Sequence, residues 1–283
     1  MMNKGMRMDT QETLLLQDTW ALPAGLKETR SPALWNLGFE ATAFRGISLP
    51  ETESVALLDR VDTKFVFSLK RLEHLLPLLK EDYRMLTIEG YRLQPYQNLY
   101  FDTPAFELFR LQVNQRANQY KVRVRVYEST HEAFLEIKHK TPKGRTLKTR
   151  LPVDASMPLF GSNERLWLAE NLPGEFTDLE PVLGNRFTRL VLVDNACTER
   201  VTLDVQLSFS AGWKTISASG AVIAEVKQNQ AGCPSAFLAL MRAQHLRQTG
   251  FSKYCIGVSS LYGQVKSNLM KEKLQLLEKL AGE

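Results

Sequence analysis

The sequence predicts an α+β protein whose antiparallel sheet curls into a β-barrel tunnel with a cationic lumen, covered by helices. From about Ser54 to Ser208, many short runs alternate apolar and polar residues and are separated by Gly, Pro, Asn and Asp. On these runs basic residues share one face and aliphatic residues the other. Because alternate side chains of a strand point to opposite faces, closing such a sheet with its charged face inward gives a cationic lumen.

Helices are predicted where apolar residues recur at spacings of three and four, over 71–80, 163–172 and 236–248. They would cover the aliphatic outer face of the sheet. The tail over 266–280 has leucines among lysines and glutamates, which predicts an amphipathic helix that docks on the body or on a partner. We therefore divide the chain into a partly ordered leader (1–50), a tunnel domain (51–262) and a C-terminal amphipathic helix (263–283).

The composition is that of a globular protein: of 283 residues, 44% are hydrophobic and 24% charged, which excludes a disordered or collagen-like chain. The net charge of +5 weakly favours an anionic partner. Cys197, Cys233 and Cys255 lack CxxC spacing, which excludes a disulfide framework and indicates a reducing, cytoplasmic setting. We expect no membrane segment, since no window approaches 18 uncharged apolar residues.

Several common catalytic motifs are missing. The sequence has no GxxxxGK[ST], no GxGxxG after a strand, no HExxH and no GxSxG. Its four histidines are scattered without ligand spacing. Any chemistry must therefore fall to lysines, arginines and carboxylates.

The charged strand faces are the most informative feature. Lys121, Arg123 and Arg125 lie on one face of a run whose other face is entirely valine. Across all such faces, twelve basic residues stand against four acidic ones: Arg60, Lys64, Lys121, Arg123, Arg125, Lys138, Lys140, Lys148, Arg150, Arg189, Arg200 and Lys227 against Asp62, Glu136, Asp204 and Glu225. A solvated face would carry mixed charges. The basic residues in excess here would repel one another unless an anion of high charge density binds among them.

A polyphosphate chain fits such a lumen chemically. Lysine supplies point charges and arginine supplies paired donors to phosphate oxygens. The few carboxylates would hold a divalent cation that bridges phosphates and neutralises developing charge. A nucleic-acid partner is disfavoured, because aromatic residues do not interleave with the basic ones as a stacking platform requires.

The ordered set of charged segments resembles the catalytic domain of the vacuolar transporter chaperone (VTC) polyphosphate polymerases, within the triphosphate tunnel metalloenzymes. The matching segments are RVDTKF at 60–65, YFDT at 100–103, KVRVRVY at 121–127, FLEIK at 134–138, GRTLKTR at 144–150, FTR at 187–189, RVTLD at 200–204, EVK at 225–227 and FSKY at 251–254. The ExExK signature of many tunnel triphosphatases is absent, and RVDTK in its place favours the VTC branch.

The resemblance implies an eight-stranded antiparallel tunnel that binds ATP or another triphosphate with Mn²⁺ or Mg²⁺, and that transfers the γ-phosphoryl group to a polyphosphate chain. It implies three catalytic residues, Lys253, Arg123 and Arg125. Glu225 would bind the metal. Glu136, which faces the lumen by parity, would be a second metal ligand, a partner that orients Lys138, or a member of a plain salt bridge. The implied phosphate-binding residues are Lys64, Lys138, Lys148, Arg189, Arg200 and Lys227, with Arg60, Arg150 and Ser252 as neighbours in less defined roles.

Three functions remain open at this stage. Phosphoryl transfer depends mainly on positioning and charge neutralisation, so a basic tunnel with one metal suffices for a polymerase. The same tunnel would serve a hydrolase that admits water as the acceptor. It would also serve a non-catalytic module that binds polyphosphate or a nucleotide.

Overall fold

The computed structural model describes residues 32–53, 61–155, 160–176, 178–228, 233–265 and 268–282. The α-helices in this part of the chain are α1 (Pro32–Thr42), α2 (Leu49–Glu53), α3 (Leu69–Leu75), α4 (Glu107–Val113), α5 (Ser162–Asn171), α6 (Ala236–Ala243), α7 (Lys253–Leu261) and α8 (Lys271–Ala281). Short 3₁₀ turns lie at Leu76–Leu79, Gly174–Phe176 and Asn268–Met270. The strands are β1 (Arg45–Ile47), β2 (Val61–Ser68), β3 (Tyr83–Leu86), β4 (Gln94–Asp102), β5 (Gln119–Tyr127), β6 (Glu132–Lys140), β7 (Thr146–Val153), β8 (Glu180–Asp194), β9 (Glu199–Ala211), β10 (Lys214–Ala218) and β11 (Ala221–Gln228).

Eight of these strands form the predicted antiparallel sheet, in the order β2-β11-β9-β8-β4-β5-β6-β7. Three short strands extend it: β10 pairs with β9, β3 pairs with β8, and β1 pairs in parallel with β3. The predicted closure of the sheet into a barrel is not observed: within the described residues, β2 and β7 lie at the two ends of the hydrogen-bonded path and do not pair with each other. Lysine and proline on an edge strand disfavour pairing with a further strand, and β7 contains both Lys148 and Pro152.

The sheet is nevertheless curled. Glu225 on β11 lies close enough to Lys138 on β6 to act on its charge, although five steps of the strand order separate the two strands. Side chains of the charged faces therefore converge on the concave side, which we call the lumen.

The aliphatic face of the sheet is covered by helices, as predicted. Near β2, β9 and β11, the helices α1, α3 and α6 pack residues such as Leu37, Leu72 and Phe237 onto the sheet. Near β5 and β6, the covering residues are Leu108 of α4 and Leu168 of α5. These contacts bury the apolar stripe of each helix and fix the lumen-facing register of the strands.

The helix α7 packs on the concave side instead. Tyr254 and Val258 of α7 share a core with Tyr100, Leu183 and Ile223, which point to the same side as the charged residues of their strands. The Tyr254 hydroxyl donates to Asp102, whose carboxylate also accepts from backbone N–H groups at the start of α4. The helix α7 therefore fills one end of the lumen.

The helix predictions succeed with three differences. The helix predicted over 71–80 is α-helical over Leu69–Leu75 and continues as a 3₁₀ helix over Leu76–Leu79. The helix predicted over 236–248 ends at Ala243, because His245 adopts a left-handed backbone with φ of 54°. The C-terminal helix begins at Lys271, and it buries Leu277 and Leu280 in the core that surrounds α7. Four of the described helices, α1, α2, α4 and α7, were not among those predicted. Among the described residues, no helix is long and apolar enough to cross a membrane.

Candidate active site

Among the described residues, three lumen carboxylates each contact two cationic side chains: Glu136 and Asp204 are buried, and Glu225 is half-buried. Glu225 and Lys64 face each other in register on β11 and β2, with Nζ 3.0 Å from Oε1. The Lys227 ammonium contacts the other oxygen of Glu225. Burial raises the pKa of Glu225, but the charges of Lys227 and Lys64 outweigh it and hold the pKa well below its usual value.

Glu136 forms the second group. It lies opposite Arg123 in the β5–β6 register, and the guanidinium donates from Nε and Nη2 to Oε2 at 2.9 and 2.6 Å. The Lys148 ammonium contacts the other oxygen. Burial raises the pKa of Glu136, but the charges of Arg123, Arg125 and Lys148 outweigh it and lower the pKa to about 2. The ion-pair partners of Glu136 are thus Arg123 and Lys148 rather than Lys138.

Asp204 forms the third group. Its place on a charged strand face was predicted, but no role in the site was predicted for it. Arg189 donates two hydrogen bonds to its carboxylate, and the Lys253 ammonium contacts Oδ2. Lys253 lies in the first turn of α7, so the helix brings this charge to the sheet. The alternation of side chains along β9 places Asp204 on the lumen face. The sequence around Asp204 does not identify Lys253, 49 residues away, as its partner.

Arginines and aromatic rings meet beside these groups. Arg125 donates from Nε to Asn98 Oδ1 at 2.8 Å, and its guanidinium lies over the Tyr96 ring at 5.4 Å. Arg189 lies over Tyr96 and Phe187 at 5.0 and 5.2 Å. Tyr96 and Phe187 stack with their planes only 10° apart. Such contacts fix the planar donors of both arginines.

Two lysines in the lumen have no such partners. Lys121 and Lys138 face each other in the β5–β6 register and are half-buried. Within the described part of the chain, neither ammonium makes an ion pair or a hydrogen bond. Burial lowers the pKa of Lys138 to about 8, and the charge of Lys121 acts in the same direction.

The remaining predicted residues lie around these groups. Arg200 faces Lys227 in the β9–β11 register. Arg150 is exposed on the edge strand β7, and its guanidinium lies 4.7 Å from the Phe134 ring centroid. The Ser252 hydroxyl caps α7 by accepting from the Cys255 N–H at 3.3 Å. Arg60 lies outside the described residues.

The carboxylates are the donor type that Mg²⁺ and Mn²⁺ take. However, both oxygens of Glu225 and of Glu136 contact cations, and the described residues contain no cluster of three or more His, Cys, Asp or Glu side chains. The set fits a divalent ion that takes one carboxylate from the protein and its other ligands from phosphate and water. Such an ion would bind together with a polyphosphate ligand.

Solved structures with similar folds have low sequence identity. HpAC1 from Hippeastrum, described as having a dominant triphosphatase activity, is 15% identical with a TM-score of 0.46, over 71% of this chain and 95% of that one. The PH1819 protein of Pyrococcus horikoshii OT3 is 11% identical with a TM-score of 0.40, over 76% and 99%. A conserved hypothetical protein of Pyrococcus furiosus is 10% identical with a TM-score of 0.36, over 66% and 89%. TM-scores below 0.5 support no inference about this chain.

No curated protein matches the chain. The family model of the VTC domain matches residues 59–262, which include every predicted site residue from Arg60 to Lys253 and the whole of the curled sheet from β2 to β11. That match spans well over half of the sequence, and the chain therefore belongs to the VTC domain family.

Proposed function

We propose that the protein is a polyphosphate polymerase that transfers the γ-phosphoryl group of ATP to a polyphosphate chain in the lumen, with Mn²⁺ or Mg²⁺. The observation that carries this proposal is the set of three lumen carboxylates, Glu225, Glu136 and Asp204, each paired with two cations. Arg123, Arg189 and Lys253 belong to these groups and are oriented in the lumen before substrate arrives. Phosphoryl transfer requires such prearranged positive charge more than it requires a nucleophile from the protein.

The same groups favour a phosphate acceptor over water. A hydrolase gains from a general base that accepts a proton from water, and a base is effective when its pKa is close to the working pH. The pKa of Glu136 is about 2, and ion pairs also lower those of Asp204 and Glu225. These carboxylates are weak bases, whereas the terminal phosphate of a chain is already ionised and needs none.

In this mechanism Arg123, Arg125 and Arg189 hold the triphosphate through paired donors, and Lys253 offsets charge that shifts during transfer. When phosphate oxygens draw Lys64 and Lys227 away, the Glu225 carboxylate becomes available to a divalent ion. That ion would neutralise charge on the phosphates when bound. Substrate and metal would therefore bind cooperatively.

The test is to incubate the purified protein with ATP and Mn²⁺ or Mg²⁺, and to measure long-chain polyphosphate and orthophosphate separately. We expect polyphosphate to form faster than orthophosphate, and Glu225→Gln to abolish this metal-dependent turnover. Glu272→Gln, an exposed change on α8, is the matched control. Release of orthophosphate without chain growth would identify a hydrolase. Tight polyphosphate binding without ATP consumption would identify a binding module.

A further inference from the structure

A row of lysines crosses the strands next to the edge of the sheet. Lys121 on β5 faces Lys138 on β6, and Lys138 faces Lys148 on β7. Lys64 on β2, at the opposite end of the strand order, acts electrostatically on both Lys121 and Lys138. Lysines from β2, β5, β6 and β7 therefore line the seam where the hydrogen-bonded path of the sheet stops.

The inner two members of this row make no direct contact with a carboxylate of the described residues, although the charge of Glu225 acts on Lys138 from a distance. Lys64 and Lys148 contact Glu225 and Glu136, whereas Lys121 and Lys138 make no ion pair or hydrogen bond with any described residue. Like charges placed opposite each other on neighbouring strands destabilise a sheet. Burial and the charges of Lys64, Arg123 and Lys140 lower the pKa of Lys121. This arrangement is unfavourable unless an anion occupies the space between the lysines.

The row differs chemically from the rest of the lumen. Around Arg125 and Arg189 the neighbours include the rings of Tyr96 and Phe187, whereas no ring–cation contact involves Lys121 or Lys138 among the described residues. The row also leads outward, since Lys121 and Lys138 are half-buried while Lys148 and Lys140 are exposed. An anion that is long, linear and without a nucleoside matches such a path.

We propose that Lys121 and Lys138 form a separate subsite for the inorganic phosphate chain, beyond the phosphates of the bound triphosphate, and that the chain reaches solvent along the seam between β2 and β7. The proposal rests on the proposed function, because it assumes that the lumen holds a phosphate chain. It gives a role to Lys121, for which the family resemblance implied none. It also separates the path of the phosphate chain from Arg125 and Arg189.

The test compares the affinities of the metal-free protein for long-chain polyphosphate and for tripolyphosphate by calorimetry. Losing one charge-assisted contact weakens binding by about tenfold or more, so Lys121→Met should weaken long-chain binding about tenfold more than tripolyphosphate binding. Lys121→Arg keeps the charge and should preserve the parent's ratio. Lys143→Met, an exposed change in the turn before β7, is the matched control.

Equal losses for the two ligands would overturn the proposal, because Lys121 would then contact the triphosphate itself. No loss for either ligand would also overturn it. Melting temperatures of each variant separate a binding defect from unfolding. Since no ATP turnover is measured, this outcome is independent of the polymerase assay: a protein that fails to polymerise can still show the predicted ratio.

Discussion

Arg189 and Asp204 face each other on β8 and β9 and are joined by two hydrogen bonds, from Nε to Oδ1 at 2.6 Å and from Nη2 to Oδ2 at 2.8 Å. The carboxylate is only 2% exposed, and it also contacts the Lys253 ammonium. Asp204 thus offsets half of the positive charge of Arg189 and Lys253 before any ligand arrives. A phosphate group that binds there must compete with this internal anion.

Asp204→Asn should therefore destabilise the protein without ligand and increase its response to ligand. Removing one partner of a buried ion pair leaves uncompensated charge and costs about 3 kcal/mol or more. Tripolyphosphate supplies the missing negative charge, so it should raise the melting temperature of the variant more than that of the parent. Thermal melts with and without tripolyphosphate measure both effects. Asp82→Asn, on the surface, is the control. If tripolyphosphate raises the melting temperature of Asp204→Asn less than that of the parent, the prediction is wrong.

Lys253→Met should mainly lower the rate of ATP consumption. Its ammonium lies 4.4 Å from the centre of the Phe187 ring and contacts Asp204. In the proposed reaction, this placement would let it stabilise the phosphate charge that shifts during transfer. Losing one such preorganised contact lowers kcat about 100-fold, whereas losing uniform attraction changes only apparent affinity. Steady-state kinetics with Lys271→Met as the control separates the two. A raised KM with unchanged kcat would assign Lys253 to binding alone.

Gly257→Ala should test how closely α7 must approach the sheet. A Cβ atom at this position would lie 2.5 Å from a methyl carbon of Leu183 and 2.7 Å from a ring carbon of Phe209. We expect a loss of about 1 to 3 kcal/mol in the free energy of unfolding, and weaker tripolyphosphate binding because Lys253 moves with the helix. Gly38→Ala, where the Cβ would meet no atom within 4 Å, should leave binding unchanged and raise the free energy of unfolding by about 0.5 to 1 kcal/mol, since alanine is favoured over glycine inside a helix. Urea unfolding and calorimetry measure these quantities, and parent-like binding by Gly257→Ala would show that Lys253 does not depend on this contact.

Glu199→Gln should remove a pH dependence of stability that arises outside the lumen. The buried Glu199 carboxylate accepts from Tyr83 at 2.5 Å and from Ser235 at 3.0 Å, and burial raises its pKa despite these hydrogen bonds. The folded state then binds the proton more tightly than the unfolded state does. The parent should lose stability, relative to the variant, as pH rises from the ordinary value of 4.5 through the raised pKa.

Urea unfolding of Glu199→Gln and the parent between pH 4 and pH 8, about the range where carboxylates with raised pKa titrate, measures this difference. Both proteins share every other titrating group, so the difference isolates Glu199. A constant difference across the range would show that the carboxylate titrates alike in the folded and unfolded states.

The strand faces were predictable because parity is a local property. Lys121, Arg123 and Arg125 alternate with valines, and nothing but a strand with one charged face accommodates that pattern. Of the helices on the outer face, α3, α5 and α6 were predictable for a similar reason, since each shows apolar residues at spacings of three and four. The pairing of carboxylates with cations was not predictable from the sequence, because residues such as Asp204 and Lys253 are brought together only by the tertiary fold.

The helix α7 was missed because its sequence has no amphipathic period. Tyr254, Cys255, Ile256, Gly257 and Val258 are consecutive and all buried, as expected for a helix enclosed on every side. The start of α4 was hidden for a different reason. Phe106 precedes it with a left-handed φ of 56°, and no Ser, Thr, Asp or Asn cap marks that position.

The position of α7 in the chain affects the order in which the protein is completed during synthesis. All strands of the curled sheet precede it, and the ribosome releases them before Lys253 emerges. Until then Tyr100, Leu183 and Ile223 lack the helix that buries them, and Arg189 and Asp204 lack their third partner. A nascent chain whose α7 is still inside the ribosome would expose this apolar surface to chaperones. It would remain inactive until α7 has packed against the sheet.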